Sequence, residues 1–158
     1  MSGEIRFKLN GRDKVYAGNP SIRLLDVLRE EYEMTGTKIG CKEGECGACS
    51  VLMDGRLVNS CLVAVGQIDG SSIVTIEGYS ETERFAVLSR AYELVSAVQC
   101  GFCIPGMILA SESLLASNPH PSREEIRIGI SGNLCRCTGY NSIVKAIGIA
   151  ADEGGGLW

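Results

Sequence analysis

The sequence contains no apolar run long enough to span a membrane and no cluster of basic residues. A membrane-spanning helix needs about 20 apolar residues in succession, and a nucleic-acid surface needs a basic patch or stripe. With a net charge of −4, neither lipid nor nucleic acid is the expected main partner. In the opening stretch Met-Ser-Gly-Glu-Ile-Arg-Phe-Lys-Leu, charges alternate with apolar residues, whereas a secretory signal needs an unbroken apolar segment. The expected compartment is therefore a reducing cytoplasm. No G-x-G-x-x-G follows a strand pattern and no Walker loop is present, so nicotinamide or flavin is not expected to bind in the Rossmann manner. There is a single histidine, His120, set between Pro119 and Pro121. That excludes a Rieske centre, which needs a pair, and suits a solvated turn residue. No Ser/His/Asp or Cys/His set is left once the cysteines are assigned together, so substrate chemistry on this chain is not expected.

What is abundant is cysteine: eight in 158 residues. In a reducing compartment they bind metal or do redox chemistry rather than form disulfides. Apolar residues make up 45% of the chain, enough for a globular protein. Two halves of roughly 80 residues would each have a thin core, which is the usual setting for a metal staple.

The first half has the pattern of a small sheet with one helix. Ile5, Phe7 and Leu9 alternate with charged residues, Asn10-Gly11 offers a hairpin turn, and Val15 to Ala17 forms the return strand. Ser21 would cap a helix to about Glu33, with Ile22, Leu25, Leu28 and Tyr32 on one face. Residues 36–49, rich in Gly and Cys, form a loop. A second hairpin turns at Asp54-Gly55, and Ile73 to Ile76 gives a last strand. This is the order of a β-grasp, ferredoxin-like sheet.

Residues 77–83 suggest a linker, and the second half is helical. Phe85, Leu88, Tyr92 and Val95 mark one helix; Met107, Ala110 and Leu114 mark a second that starts at Pro105. Ser122 with Glu125 forms a capping box for a third, through Ile126 and Ile130. A fourth begins at Asn141 or Ser142 and turns Ile143, Ile147 and Ala150 inward. The expected fold is thus α+β: a β-grasp ferredoxin-like domain over residues 1–78, then a four-helix-bundle domain over 79–158. The tail Gly-Gly-Gly-Leu-Trp is expected to be loose.

The cysteines fall into two sets of four. Cys41-x4-Cys46-x2-Cys49 is the plant-type 2Fe–2S spacing, and Cys61 supplies the fourth thiolate. Iron bridged by sulfide favours soft anionic ligands, and glycines at 40, 44 and 47 let backbone N–H groups turn toward sulfur. Cys100-x2-Cys103 and Cys135-x-Cys137 form the second set, each pair in a turn between helices. Two helical hairpins meeting at their tips would bring these four together. A structural zinc site is the alternative for either set, with the chain then a zinc-stabilised interaction module. Glu43 and Glu45 read as solvated loop charges; Arg136 either offsets cluster charge or pairs at the surface.

Gly44-Glu-Cys-Gly-Ala-Cys49, Gln99-Cys-Gly-Phe-Cys-Ile-Pro-Gly106 and Gly132-Asn-Leu-Cys-Arg-Cys-Thr-Gly-Tyr140 together resemble the iron–sulfur small subunit of the xanthine oxidase family of molybdenum hydroxylases. That family includes xanthine, nicotinate, quinoline and carbon monoxide dehydrogenases and 4-hydroxybenzoyl-CoA reductases, and the resemblance spans about residues 4–150. It implies that Cys100, Cys103, Cys135 and Cys137 hold a proximal 2Fe–2S cluster near molybdenum. It implies that Cys41, Cys46, Cys49 and Cys61 hold a distal cluster near FAD, and that Gln99 contacts the pterin. It further implies a large subunit with the molybdopterin cofactor and a medium subunit with FAD, in a heterotrimer able to dimerise. The implied role is electron relay between molybdenum and FAD, with a purine or other N-heterocycle as the expected substrate class. A carbon monoxide or 4-hydroxybenzoyl-CoA complex, run in either direction, and a free-standing ferredoxin-like carrier are the alternatives. Ser50 and Ile104 stand where the family commonly has Thr; the second change removes a hydroxyl just before Pro105.

Overall fold

The computed structural model describes residues 3–158. Its first half is a five-stranded mixed sheet in the order β2-β1-β5-β3-β4. Strands β1 (Ile5–Leu9) and β2 (Arg12–Tyr16) form the first hairpin, as the Asn10-Gly11 turn predicts. Strands β3 (Ser50–Met53) and β4 (Arg56–Asn59) form the second. β5 (Ser72–Val74) lies between them, parallel to β1 and antiparallel to β3. In β1 the alternation of sequence becomes an alternation of burial, with Ile5, Phe7 and Leu9 inside.

Helix α1 (Leu24–Glu30) packs Leu24, Val27 and Leu28 against that face, with Val51, Val65, Ile68 and Ile73. It is shorter than the expected 21–33. Residues before it are drawn into an extended bridge between Arg23 and Ala64, so Arg23 rather than Ser21 precedes the helix and Ile22 stays partly exposed.

The second half is a helical bundle. α3 (Glu83–Leu94), α4 (Ile104–Ser117), α5 (Arg123–Gly129) and α6 (Asn141–Glu153) are the four expected helices. The capping box of Ser122 and Glu125 is formed. The stretch expected as a linker is instead ordered: after β5 the chain enters a one-turn helix, α2 (Ile76–Tyr79), directly. Tyr79 is buried there against α4.

The two halves share packing. Leu52 of β3 belongs to the helical core, while its neighbour Val51 belongs to the sheet–α1 core. β3 is thus covered on both faces, which explains its unbroken apolar run Val-Leu-Met. The tail also differs from expectation. Trp158 is half-buried, its Nε1–H donating to Glu112 Oε2 at 2.7 Å, and Arg84 Nε donates to the Leu157 carbonyl at 2.8 Å. A long-range buried acceptor, invisible to local composition, holds it. No helix among the described residues is long and apolar enough to cross a membrane.

Candidate metal centres

The loop between α1 and β3 carries three cysteines. Its entry is pinned by Arg29, whose Nη1 donates to the carbonyls of Thr35 and Thr37 at 3.0 and 2.9 Å. Its exit is closed by Lys38 N–H donating to the Ala48 carbonyl. Inside the loop, backbone donors converge on sulfur. Cys41 Sγ accepts from the N–H groups of Glu43 and Glu45, both at 3.3 Å, and Cys46 Sγ accepts from Cys41 N–H at 3.3 Å. Gly40 is needed for this winding, because a Cβ there would lie 2.5 Å from Cys46 Sγ. The side chains of Glu43 and Glu45 point to solvent, as expected.

Cys61 comes from a 3-10 turn (Ser60–Leu62) after β4. Ser60 fastens that turn to the loop by donating both N–H and hydroxyl to the Cys49 carbonyl. The four thiols sort into two touching pairs, Cys41 with Cys46 near the surface and Cys49 with Cys61 buried. The pairs differ electrically. Backbone N–H groups, those of Glu43 first, lower the Cys41 thiol to about 7. Burial, then the Cys49 sulfur, pushes the Cys61 thiol up to about 11.

The second set forms where two helical hairpins meet. Cys100 and Cys103 lie in the turn from α3 to α4, with Cys103 at the N-cap of α4. Cys135 and Cys137 lie between α5 and α6. Cys137 Sγ and Cys100 Sγ are 3.6 Å apart and exposed, while Cys103 pairs with Cys135 deeper in. Burial and the neighbouring Cys135 raise the Cys103 thiol to about 12. Burial also acts to raise Cys135, yet it is held below its ordinary value by Thr138, whose hydroxyl and N–H donate to Cys135 Sγ at 3.1 and 3.4 Å. Tyr140, in the left-handed region at φ 70° ahead of α6, receives the Cys135 N–H on its hydroxyl at 2.9 Å.

Each set therefore presents two pairs of thiols with N–H or O–H donors aimed at sulfur. Four thiols in two pairs per site match the ligand complement of a two-iron cluster with two thiolates on each iron. The remaining sequence candidates lie at the edges. Gln99 is exposed beside Cys100, Arg136 is exposed between Cys135 and Cys137, and His120 is a solvated loop residue. Ile104 packs on the helical core. The roles of Thr138, Tyr140 and the buried Asn133 were not assigned from sequence, although all three stand in the motif around Cys135.

The chain matches two known domain families, the 2Fe-2S iron-sulfur cluster binding domain over residues 7–70 and the 2Fe-2S binding domain over 75–148. It is 47% identical to the nicotinate dehydrogenase small FeS subunit of Eubacterium barkeri, over 94% of this chain and 95% of that one. It is 41% identical to the xanthine dehydrogenase iron-sulfur-binding subunit of Escherichia coli O157:H7, over 90% and 91%. Among solved structures, a chain of quinoline 2-oxidoreductase from Pseudomonas putida 86 superposes with a TM-score of 0.88 at 45% identity, over 96% and 97%.

Proposed function

The chain belongs to the iron–sulfur small subunits of the xanthine oxidase family of molybdenum hydroxylases, the electron-transfer subunits of multisubunit oxidoreductases, and we propose that its two cysteine sets are the relay. In this reading Cys100, Cys103, Cys135 and Cys137 hold the proximal 2Fe–2S cluster and Cys41, Cys46, Cys49 and Cys61 the distal one. The observation that carries it is the pairing of thiols, Cys41/Cys46 with Cys49/Cys61 and Cys100/Cys137 with Cys103/Cys135. Each cluster, when bound, supplies one-electron capacity, so that two in series couple a two-electron centre to its exit.

The protein's own part is to hold and bias. The N–H groups of Glu43 and Glu45 and the Thr138 hydroxyl favour negative charge on the sulfurs they touch. The two sites are also joined by backbone: Leu134 N–H, next to Cys135, donates to the carbonyl of Cys46 at 2.9 Å. The division of the chain at residues 78/79 is part of the same proposal; two separate family matches support two domains, with their own break slightly earlier, between residues 70 and 75.

The exposed Cys100 and Cys137, with exposed Val98 and Phe102 two residues to either side of Cys100 in the chain, favour a covered end over a free carrier. We assign that end to a large molybdopterin-binding subunit, with Gln99 toward the pterin. The Cys41 end, beside exposed Leu62, faces a medium FAD-binding subunit. A purine or other N-heterocycle is the proposed substrate, supported by relatives named for nicotinate, xanthine and caffeine. The proposed compartment is the cytoplasm, where all eight thiols stay reduced.

The test is iron and acid-labile sulfide on the protein as it co-purifies, with EPR after dithionite. The expected result is about four of each per chain and two distinct S = 1/2 signals. Zinc without sulfide, or one signal, would overturn the relay. A full complement with no large partner would favour the free carrier.

A further inference from the structure

Asn133 is only 4% exposed, and an amide buried without partners is costly. It stands two residues before Cys135, yet its bonds reach the other cysteine set. Asn133 Nδ2 donates to the Gly47 carbonyl at 3.0 Å and to Ser50 Oγ at 3.2 Å. Gly47 lies between Cys46 and Cys49. Among the described residues, these are the side-chain hydrogen bonds that cross between the two cysteine-bearing loops. Ser50 completes the network by donating its own hydroxyl to the Gly47 carbonyl at 2.7 Å.

The surrounding backbone leaves no slack. A Cβ on Gly47, at φ +67°, would sit 2.4 Å from the Gly132 carbonyl and 2.6 Å from Asn133 Nδ2. A Cβ on Gly106, in the first turn of α4, would sit 2.5 Å from the Gly47 carbonyl and 3.0 Å from Asn133 Nδ2. Three segments, each next to a proposed ligand, thus close around one amide. Cys46 precedes Gly47, Cys103 precedes Gly106 and Cys135 follows Asn133. The Leu134 N–H bond to the Cys46 carbonyl lies one residue away, so the amide holds in register a direct hydrogen-bonded connection between the two sets.

We propose that Asn133 is a positioning residue for electron transfer between the two centres: it fixes their separation and keeps Leu134 N–H on the Cys46 carbonyl. The inference rests on the reading that both sets hold clusters. One electron crosses per transfer, oxidising one centre and reducing the other, and no bond is made or broken. Asn133 donates to a carbonyl and a hydroxyl rather than to sulfur, so it acts on spacing and not on potential.

The experiment compares wild type with Asn133→Ala and Ser50→Ala in the full chain purified with its partners. Wild-type iron content and two EPR signals test the relay itself; the variants test Asn133. In Asn133→Ala, iron and both midpoint potentials should be unchanged, and the magnetic interaction between the two reduced centres should weaken. Electron passage between them should slow measurably. Ser50→Ala, which frees the amide from one of its acceptors, should shift the interaction in the same direction by less. An unchanged interaction and rate in an iron-replete Asn133→Ala would overturn the proposal, as would a change confined to potentials. Should Asn133→Ala fail to retain iron, an unchanged interaction in Ser50→Ala would overturn it.

Discussion

At the scale of single residues, the cysteines were legible because ligand spacing is a local property: x4 then x2 can be counted along the chain. Their unequal environments were not. Cys61 and Cys49 are buried while Cys100 and Cys137 are exposed, and this depends on which end of each domain the loops occupy. The donors to sulfur were half legible. Glycines announced that N–H groups would turn inward, but nothing local singled out Thr138, and the partner of Asn133 is 86 residues away. Thr138 carries a testable consequence. Its hydroxyl donates to Cys135 Sγ and so favours the more negative, reduced state of the site. Thr138→Val keeps the shape and removes the donor. If the bond differs between redox states by about 1 kcal/mol, the midpoint potential of the proximal centre should fall by roughly 40 mV. The distal centre should not move. An EPR-monitored redox titration of both centres reads this directly, and an equal shift in the two would refute a local origin.

At the scale of elements, the sequence marked the features set by neighbours in the chain. The Asn10-Gly11 hairpin, the Ser122–Glu125 capping box and the inward stripe of α6 all formed as read. Misplaced boundaries were those decided by distant contacts. α1 starts late because Arg23 bridges Ala64, and the supposed linker is helical because Tyr79 is buried against α4. Two glycines inside helices make the same distinction by experiment. Gly148 lies mid-way along α6, where a Cβ would meet only Ile126 Cδ1 at 3.9 Å, an ordinary contact. Gly148→Ala should therefore stabilise by about 0.5–1 kcal/mol through helix propensity alone. Gly106 of α4 has the same propensity and the opposite surroundings, since its Cβ would strike the Gly47 carbonyl at 2.5 Å. Gly106→Ala should destabilise and push the two cysteine loops apart. Thermal midpoints of the two variants should move in opposite directions, with a rise of roughly 1–4 °C for Gly148→Ala in a chain of this size. A rise in both would mean that the seam at Gly47 is soft.

At the scale of the whole molecule, two thin cores are joined through β3, which faces α1 on one side and the helical bundle on the other. The fold class was legible because each half carries its own periodicity. The closure made by the chain end was not, because three consecutive glycines give Leu157 and Trp158 the local composition of a loose tail. Glu112 on α4, 6% exposed, organises that closure. It accepts from Tyr79 Oη at 2.6 Å, Arg84 Nη1 at 2.7 Å and Trp158 Nε1 at 2.7 Å. Burial, and the carboxylate beside it, push the Tyr79 hydroxyl above its ordinary range, so it stays a donor. The tail is therefore a strap over a buried charge. Trp158→Phe keeps an aromatic side chain and drops one of three donors, and should cost at least about 1 kcal/mol. Deleting residues 157–158 should cost more, because Arg84 also loses the Leu157 carbonyl. Glu112→Ala should cost about 2–3 kcal/mol, since it strands a buried tyrosine hydroxyl and an arginine together. Denaturant midpoints on the iron-loaded chain should rank the three in that order after wild type, the deletion lying between the two substitutions. If the deletion leaves the midpoint at the wild-type value, the strap contributes nothing and the glycine-rich end behaves as its composition alone suggests.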